Sequence, residues 1–276
     1  MRAPCPAYLC LAFAIFALLN SAGSGPSHAA GAADPTLDLA ERAQVVEVID
    51  GDTVLLDDGR HVRLVGIQSP KLPLGRSGFD AWPLAEEAKS ALGELTLGRD
   101  VGLGYGGRQT DRHGRALAHL YLLGETGEPD LWVQGALLEA GMARVYSFAD
   151  NRALIGEMLA RERQARTLRR GIWADPFYAV QTPEGLDGHA GSFQIVEGIV
   201  LNAALVKGRV YLNFGVDWRS DFTVTLAPAV RRVFEAEGID PLAYGGQKVR
   251  VRGWIESFNG PMIEASHPEQ IEVIED

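Results

Sequence analysis

Between Gln44 and Ile67 the chain carries three β-runs, Gln44–Ile49, Thr53–Asp57 and Arg60–Ile67, separated by two Asp-Gly turns. Turns as tight as Asp50-Gly51-Asp52 and Asp57-Asp58-Gly59 force consecutive strands to pair antiparallel. Leu84–Leu97, rich in Ala, Glu and Leu at helical spacing, predicts a helix stopped by Gly98. Strands are expected at Asp100–Gly104 and Ala116–Leu123, and helices at Val133–Ala140 and Ala153–Arg170. A β-meander followed by alternating helices and strands points to a mainly β, α+β fold.

The first residues have a different character. Arg2 is the only charge before the apolar run Tyr8–Leu19, which is short for a bilayer span, and Ser27-His28-Ala29 offers a small-x-small cleavage site. Residues 1–29 therefore read as a secretory signal peptide, with delivery to a periplasm or the medium. An uncleaved anchor is the other reading of the same run. No second hydrophobic run of that kind follows. Both cysteines, Cys5 and Cys10, fall inside the signal, so the mature chain would have neither a disulfide nor a thiolate metal site. The net charge of −10 becomes −11 once Arg2 is removed, a balance that disfavours non-specific nucleic-acid binding but leaves room for a local basic cleft.

The first globular region is expected over residues 37–175, a Pro/Gly-containing linker over 176–192, and a second β-rich region over 193–276. In the second region, Gln194–Leu205 and Arg209–Phe214 read as a hairpin about Lys207-Gly208. Phe222–Leu226, a helix from Pro228 to Glu237, and strands Lys248–Phe258 and Met262–Ile274 complete it. That order suits a small OB-like barrel. Its densest motif, Tyr211–Arg219, reads either as core packing or as an aromatic binding strand. The arginines of the 153–170 helix read as a solvated face paired with acids such as Glu157 and Glu162, or as a nucleic-acid surface. Nothing in the patterning specifies an oligomeric state.

Four motifs occur in order: Asp50-Gly51-Asp52-Thr53; Arg63 with Gln68-Ser69-Pro70-Lys71; Thr110-Asp111-Arg112-His113-Gly114-Arg115; and Gly171-Ile172-Trp173. Together they resemble the thermonuclease (staphylococcal nuclease-like) family over about residues 44–174. The resemblance implies an OB-type five-stranded barrel capped by helices, here followed by the second, OB-like barrel. It also implies calcium-dependent hydrolysis of nucleic acid. In such a site two aspartates hold calcium, a glutamate acts on water and two arginines clamp the phosphate. Carried over by position, Asp52 matches the first metal aspartate, and Arg63 and Arg115 match the arginines. Gln68 stands at the second aspartate and Lys71 at the glutamate. These two departures make the site three charges more positive.

A solvated lysine needs about 4.6 kcal/mol to lose its proton at pH 7, so it makes a poor general base. Pointing inward, Lys71 would repel a cation; pointing outward, it would leave one carboxylate and neutral oxygens where calcium wants six to eight ligands. Weak or lost calcium-dependent activity is the expectation. Arg76 and His113 are candidate substrate contacts, and Asp80, Glu86 and Glu87 are candidate replacement ligands. The six histidines show no metal-ligand spacing. Three readings stand: an exported phosphodiesterase, weak or of altered metal ligation, acting on nucleic acid or another phosphate-bearing ligand; a non-catalytic anion- or partner-binding module in which Arg63, Lys71 and Arg115 hold a phosphate or carboxylate without metal; and a structural two-barrel protein of the cell envelope.

Overall fold

The computed structural model describes residues 1, 37, 39 and 41–274; the expected signal peptide, Met1 apart, lies outside them. The chain begins with β1 (Glu41–Asp50), β2 (Thr53–Leu56), β3 (His61–Leu64) and the two-residue β4 (Ile67–Gln68). Helix α1 (Ala85–Thr96), β5 (Asp100–Gly104), β6 (Ala116–Leu123) and β7 (Pro129–Trp132) follow, then α2 (Val133–Glu139), β8 (Arg144–Val145) and α3 (Ile155–Thr167). β1 pairs with β2 and β5, β2 with β3, and β5 with β6, all antiparallel. β3 then pairs in parallel with β6, Val62 beside Ala116, which closes five strands into the expected OB-type barrel.

Alternating residues fill that barrel. Val45, Val54, Val62, Leu103 and Leu120 are fully buried, and α1 closes one end with Ala88 and Leu92. Where β6 leaves its ladder, the buried Gln134 acts as a surrogate strand. Its Oε1 accepts the Leu120 N–H at 3.0 Å and its Nε2 donates to the Ala118 carbonyl at 3.0 Å. β4 and β8 form a separate small ladder that places Gln68 directly opposite Arg144. At Gly66 the backbone has φ +81°, and a Cβ there would lie 2.6 Å from the Met158 side chain of α3. Only glycine lets the β3–β4 turn approach the helix so closely.

The C-terminal region contains β9 (Phe193–Ile199), β10 (Asn202–Val206), β11 (Arg209–Asn213), β12 (Thr223–Leu226) and α4 (Pro228–Ala236). It continues with β13 (Lys248–Trp254), β14 (Glu256–Ser257), β15 (Pro261–Ala265) and β16 (Ile271–Val273). These strands form a five-stranded sheet, β10-β11-β12-β15-β14, and a three-stranded sheet, β16-β13-β9, around one core that includes Val210, Leu212, Phe234, Val251 and Ile263. Three runs expected as single strands are each broken in two: 194–205 at Val200-Leu201, 248–258 at Ile255, and 262–274 by a 3₁₀ turn at Pro268–Gln270. Each half joins a different sheet, so the bends carry the chain around the core. No described helix is long and apolar enough to cross a membrane.

The two regions meet through buried charge. Arg252 of β13 is 1% exposed and donates to both carboxylate oxygens of Glu162 on α3, at 3.0 and 3.1 Å, and to Glu272 at 2.6 Å. Glu162 is fully buried; it also accepts the Val145 N–H at 2.6 Å and Arg166 at 2.8 Å. Burial alone would raise the Glu162 carboxyl, but Arg252 and Arg166 hold it below its ordinary range. The expected solvated arginine face is present in part, since Arg161 pairs with Glu157 and Glu139, but Glu162 belongs to the interior.

A second seam joins the loop after β8 to the C-terminal region. Ser147 Oγ lies 2.7 Å from His267 Nε2, Trp254 Nε1 donates to the Tyr146 hydroxyl at 2.9 Å, and Arg152 pairs with Glu237 and Glu269. Burial pushes the His267 imidazole down to about 4; the Arg152 and Arg252 cations push the same way, and the Glu269 and Glu237 carboxylates oppose them.

Removing one side of the buried pair, by Glu162→Gln or Arg252→Met, is expected to cost about 3–5 kcal/mol in urea unfolding. The double variant should lose less than the sum, because neither member of the pair is left buried and charged without the other; strict additivity would refute the coupling. His267 adds an acid-sensitive contribution. The unfolded chain takes up this proton first as pH falls below its ordinary 6.5, so the contribution is complete above 6.5 and is lost as pH falls through about 4. It amounts to about 3 kcal/mol. Stability curves at pH 7 and pH 4 should therefore lie closer together for His267→Gln than for the unsubstituted protein.

Candidate active site

The Asp50-Gly51-Asp52 turn is fixed at the barrel end before its chemistry begins. A Cβ on Gly51 would sit 2.7 Å from Ser69 and 2.8 Å from Ala88, so the turn packs directly against the 67–70 segment and α1. Asp50 Oδ1 accepts the Asp52 N–H at 3.1 Å, and Thr53 Oγ1 donates to Asp52 Oδ1 at 3.3 Å. Asp52 is fully buried, and three groups converge on its Oδ2: the Ser69 N–H at 2.8 Å, Lys71 Nζ at 2.5 Å and Arg63 Nη2 at 3.3 Å. Lys71 Nζ also lies 3.7 Å from Asp50 Oδ2.

Lys71 thus points inward and lies between two carboxylates. Burial alone would raise the Asp52 carboxyl, but the Arg63 and Lys71 cations and the Ser69 N–H hold it well below the usual carboxylate range. Asp50 goes the other way: burial first, then the neighbouring Asp52 charge, raise it. With both acids ionised, two negative charges face two positive ones and the cluster is neutral.

Arg63, opposite Thr53 in the β2–β3 ladder, also donates to the carbonyls of Leu64 and Ile67, both at 2.6 Å. Gln68 is 7% exposed and its Oε1 is occupied, accepting from Arg144 Nε at 2.9 Å and Nη2 at 2.7 Å. Arg144 lies 4.8 Å from the Phe193 ring; burial lowers it to about 10, so it remains charged at neutral pH.

These residues do not fit calcium. The ion needs six to eight oxygen ligands at about 2.3–2.6 Å. Here the Asp52 oxygens already accept an ammonium, a guanidinium, an amide N–H and a hydroxyl. Gln68 is held by a cation, and an amine stands at the glutamate position. Asp80, Glu86 and Glu87 are exposed. Among the described residues no group of three or more His, Cys, Asp or Glu side chains is arranged to hold a metal.

The arginine side is arranged differently. Asp111 accepts the His113 and Arg115 N–H groups at 2.8 and 3.0 Å and the Arg115 Nε at 2.7 Å, which fixes the 111–115 turn. Arg115 remains partly exposed there, and Arg112 Nε donates to His113 Nε2 at 3.1 Å. Arg63, Arg108, Arg112, His113 and Arg115 line one cleft of about 470 Å³. Tyr146 and Phe148 form part of its wall, with edge-to-face rings 4.8 Å apart. The cleft is rich in arginines, whose planar forks suit bidentate contact with two oxygens of an anion.

The expected residues are thus divided. Arg63, Arg115 and His113 share the cleft; Asp52, Lys71 and Gln68 do not line it but pack beside and behind Arg63. Arg76 lies elsewhere, donating to the Leu72 and Pro73 carbonyls and stacking 3.9 Å from the Phe79 ring. Sequence reasoning missed Arg108, Tyr146 and Phe148 in the cleft, and Arg144 behind it. Arg108 lies two residues before the Thr110 motif, a faint signal. Arg144 carries none, because only the β4–β8 ladder brings it to Gln68.

Comparison with known proteins bears on the family. The model of the staphylococcal nuclease homologue family matches residues 61–175, which includes Arg63, Gln68, Lys71 and Arg115. The chain is 37% identical over 141 residues to Protein ParB of Escherichia coli, covering 49% of this chain and 73% of that protein. It is 27% identical over 155 residues to the thermonuclease of Staphylococcus hyicus, covering 55% and 85% of the two chains. It is also similar to the micrococcal nuclease of Shigella flexneri, at 28% over 141 residues, or 49% and 75%. These relatives support a nucleic-acid hydrolase kind of function. With its closed barrel, its ordered motifs and these likenesses, the chain belongs to the staphylococcal nuclease homologue family.

Proposed function

We propose that this is an exported, thermonuclease-like protein whose calcium-dependent phosphodiesterase activity is weak or lost, and whose arginine cleft binds a phosphate-bearing ligand, nucleic acid first among them, without metal. Export rests on the composition of residues 1–29. The altered chemistry rests on one observation: Lys71 Nζ lies 2.5 Å from Asp52 Oδ2. A tethered ammonium there does what a metal would do for the two acids, neutralising them. It cannot share a water with them as a ligand, and while protonated it cannot accept a proton. Arg115, partly exposed at the cleft, retains the chemistry of a phosphate clamp, and Arg63, whose fork is held by the Leu64 and Ile67 carbonyls, adds its positive charge to the cleft wall.

Activity and binding separate this reading from its alternative, a working nuclease of altered metal use. Cleavage of single-stranded DNA and RNA in Ca²⁺, Mg²⁺ or Mn²⁺ should be absent or within about tenfold of Arg115→Ala. Metal-dependent cleavage more than about a hundredfold above Arg115→Ala would overturn the reading. Calorimetry with a 5′-phosphorylated oligothymidylate in EDTA should show binding that weakens with salt and falls at least about tenfold in Arg115→Ala. Absence of any heat would refute the clamp.

The cation latch has its own test. Lys71→Met should cost about 1.5–3 kcal/mol of stability at pH 7, by stripping a hydrogen bond from a buried carboxylate. The loss should shrink as pH falls, because the raised Asp50 carboxyl takes up its proton earlier than an ordinary aspartate. Gln68→Asp with Lys71→Glu should acquire tight Ca²⁺ binding only when Arg144→Leu is added, because Arg144 otherwise pairs with the new carboxylate. Equal Ca²⁺ affinity with and without that third change would show that Arg144 does not hold position 68.

A further inference from the structure

The five-stranded C-terminal sheet carries a second, chemically different groove, of about 460 Å³, on the face opposite its core. Register fixes which residues reach it. Val210, Leu212, Val224 and Leu226 turn into the core, so Tyr211, Asn213, Thr223 and Thr225 form the floor on the other side. Two aromatic side chains border this floor from the loops. Trp218, between β11 and β12, is 52% exposed, and Phe258, in the β14–β15 turn, is 69% exposed. The next residue, Asn259, has φ +52°, a left-handed turn conformation that asparagine tolerates.

The lining is uncharged. Arg209 lies nearby but is tied to Glu264 at 2.8 Å, and Arg219 stacks 4.7 Å from the Trp218 ring. A nucleic-acid strand needs a cationic track beside its stacking rings. None is present here, and the region from residue 176 onward carries a net charge of −6. Ala204, Val206 and Met262 add apolar surface to the lining, and the amides and hydroxyls interrupt it, so the groove offers both kinds of contact to an amphipathic ligand. The side chains of Asn202 and Asn259 have no hydrogen-bond partner among the described residues, and both line the groove. Flat aromatic faces flanking planar amides, with no net charge, match a pyranose. Its C–H face stacks on a ring while adjacent hydroxyls take the paired donor and acceptor of an amide. The volume is that of an ordinary ligand site, about 300–1,000 Å³.

We propose that this groove binds a neutral polysaccharide chain, with sugar rings stacked on Trp218 and Phe258 and hydroxyls bonded to Asn202, Asn213 and Asn259. The site is independent of the arginine cleft and stands whether or not the cleft hydrolyses anything. The test is calorimetry of the purified full-length protein with cellohexaose, maltohexaose and N-acetylchitohexaose, beside unphosphorylated oligothymidylate. At least one sugar should bind, with Trp218→Ala and Phe258→Ala each weakening it by about tenfold or more and leaving the circular dichroism and melting temperature unchanged. Arg115→Ala should bind that sugar with full affinity. The proposal is overturned if no hexasaccharide binds, if the double variant Trp218→Ala/Phe258→Ala binds as well as the unsubstituted protein, or if oligothymidylate depends on Trp218 and the sugars do not.

Discussion

One carboxylate organises the interior. Glu162 is fully buried on α3, and each of its partners fixes a different part of the molecule. Its bond to the Val145 N–H holds β8 in place. β8 then presents Arg144 to Gln68, and that contact occupies the Gln68 side-chain oxygen. Its bonds to Arg252 tie the same helix to β13 of the C-terminal region. A buried ion pair of this kind is weak evidence for added stability, since an apolar replacement of the same shape often does as well. What it supplies here is geometry: three elements distant in sequence meet at one group, and none can shift without stranding a charge.

The C-terminal region therefore has a part in the cleft. Tyr146 and Phe148 form part of the cleft wall, and their loop is held from behind by Trp254, His267, Glu237 and Glu269. The barrel supplies the arginines, and the sheets beyond it hold the aromatic wall to which those arginines are opposed.

The first barrel was largely legible in the sequence because its information is local. Two Asp-Gly turns set the pairing of β1 to β3, and helical spacing marked α1 and α3 within a few residues. The C-terminal strands were less so, since hydrophobic alternation continues through Val200-Leu201 although the chain changes sheets there. In the site, Asp52, Arg63 and Arg115 stood in ordered motifs. The inward turn of Lys71 depends on the reach of a flexible side chain and on two acids near its tip, which no spacing encodes. Glu162 looked like a solvated helix acid because its partner Arg252 lies 90 residues away.

The ammonium between Asp50 and Asp52 has one more consequence. A metal ion is a separate molecule, and its occupancy follows its concentration in the surroundings. A lysine tip arrives with the fold at a fixed local concentration and can neither be diluted nor chelated. The charge balance of this barrel end is thereby written into the polypeptide.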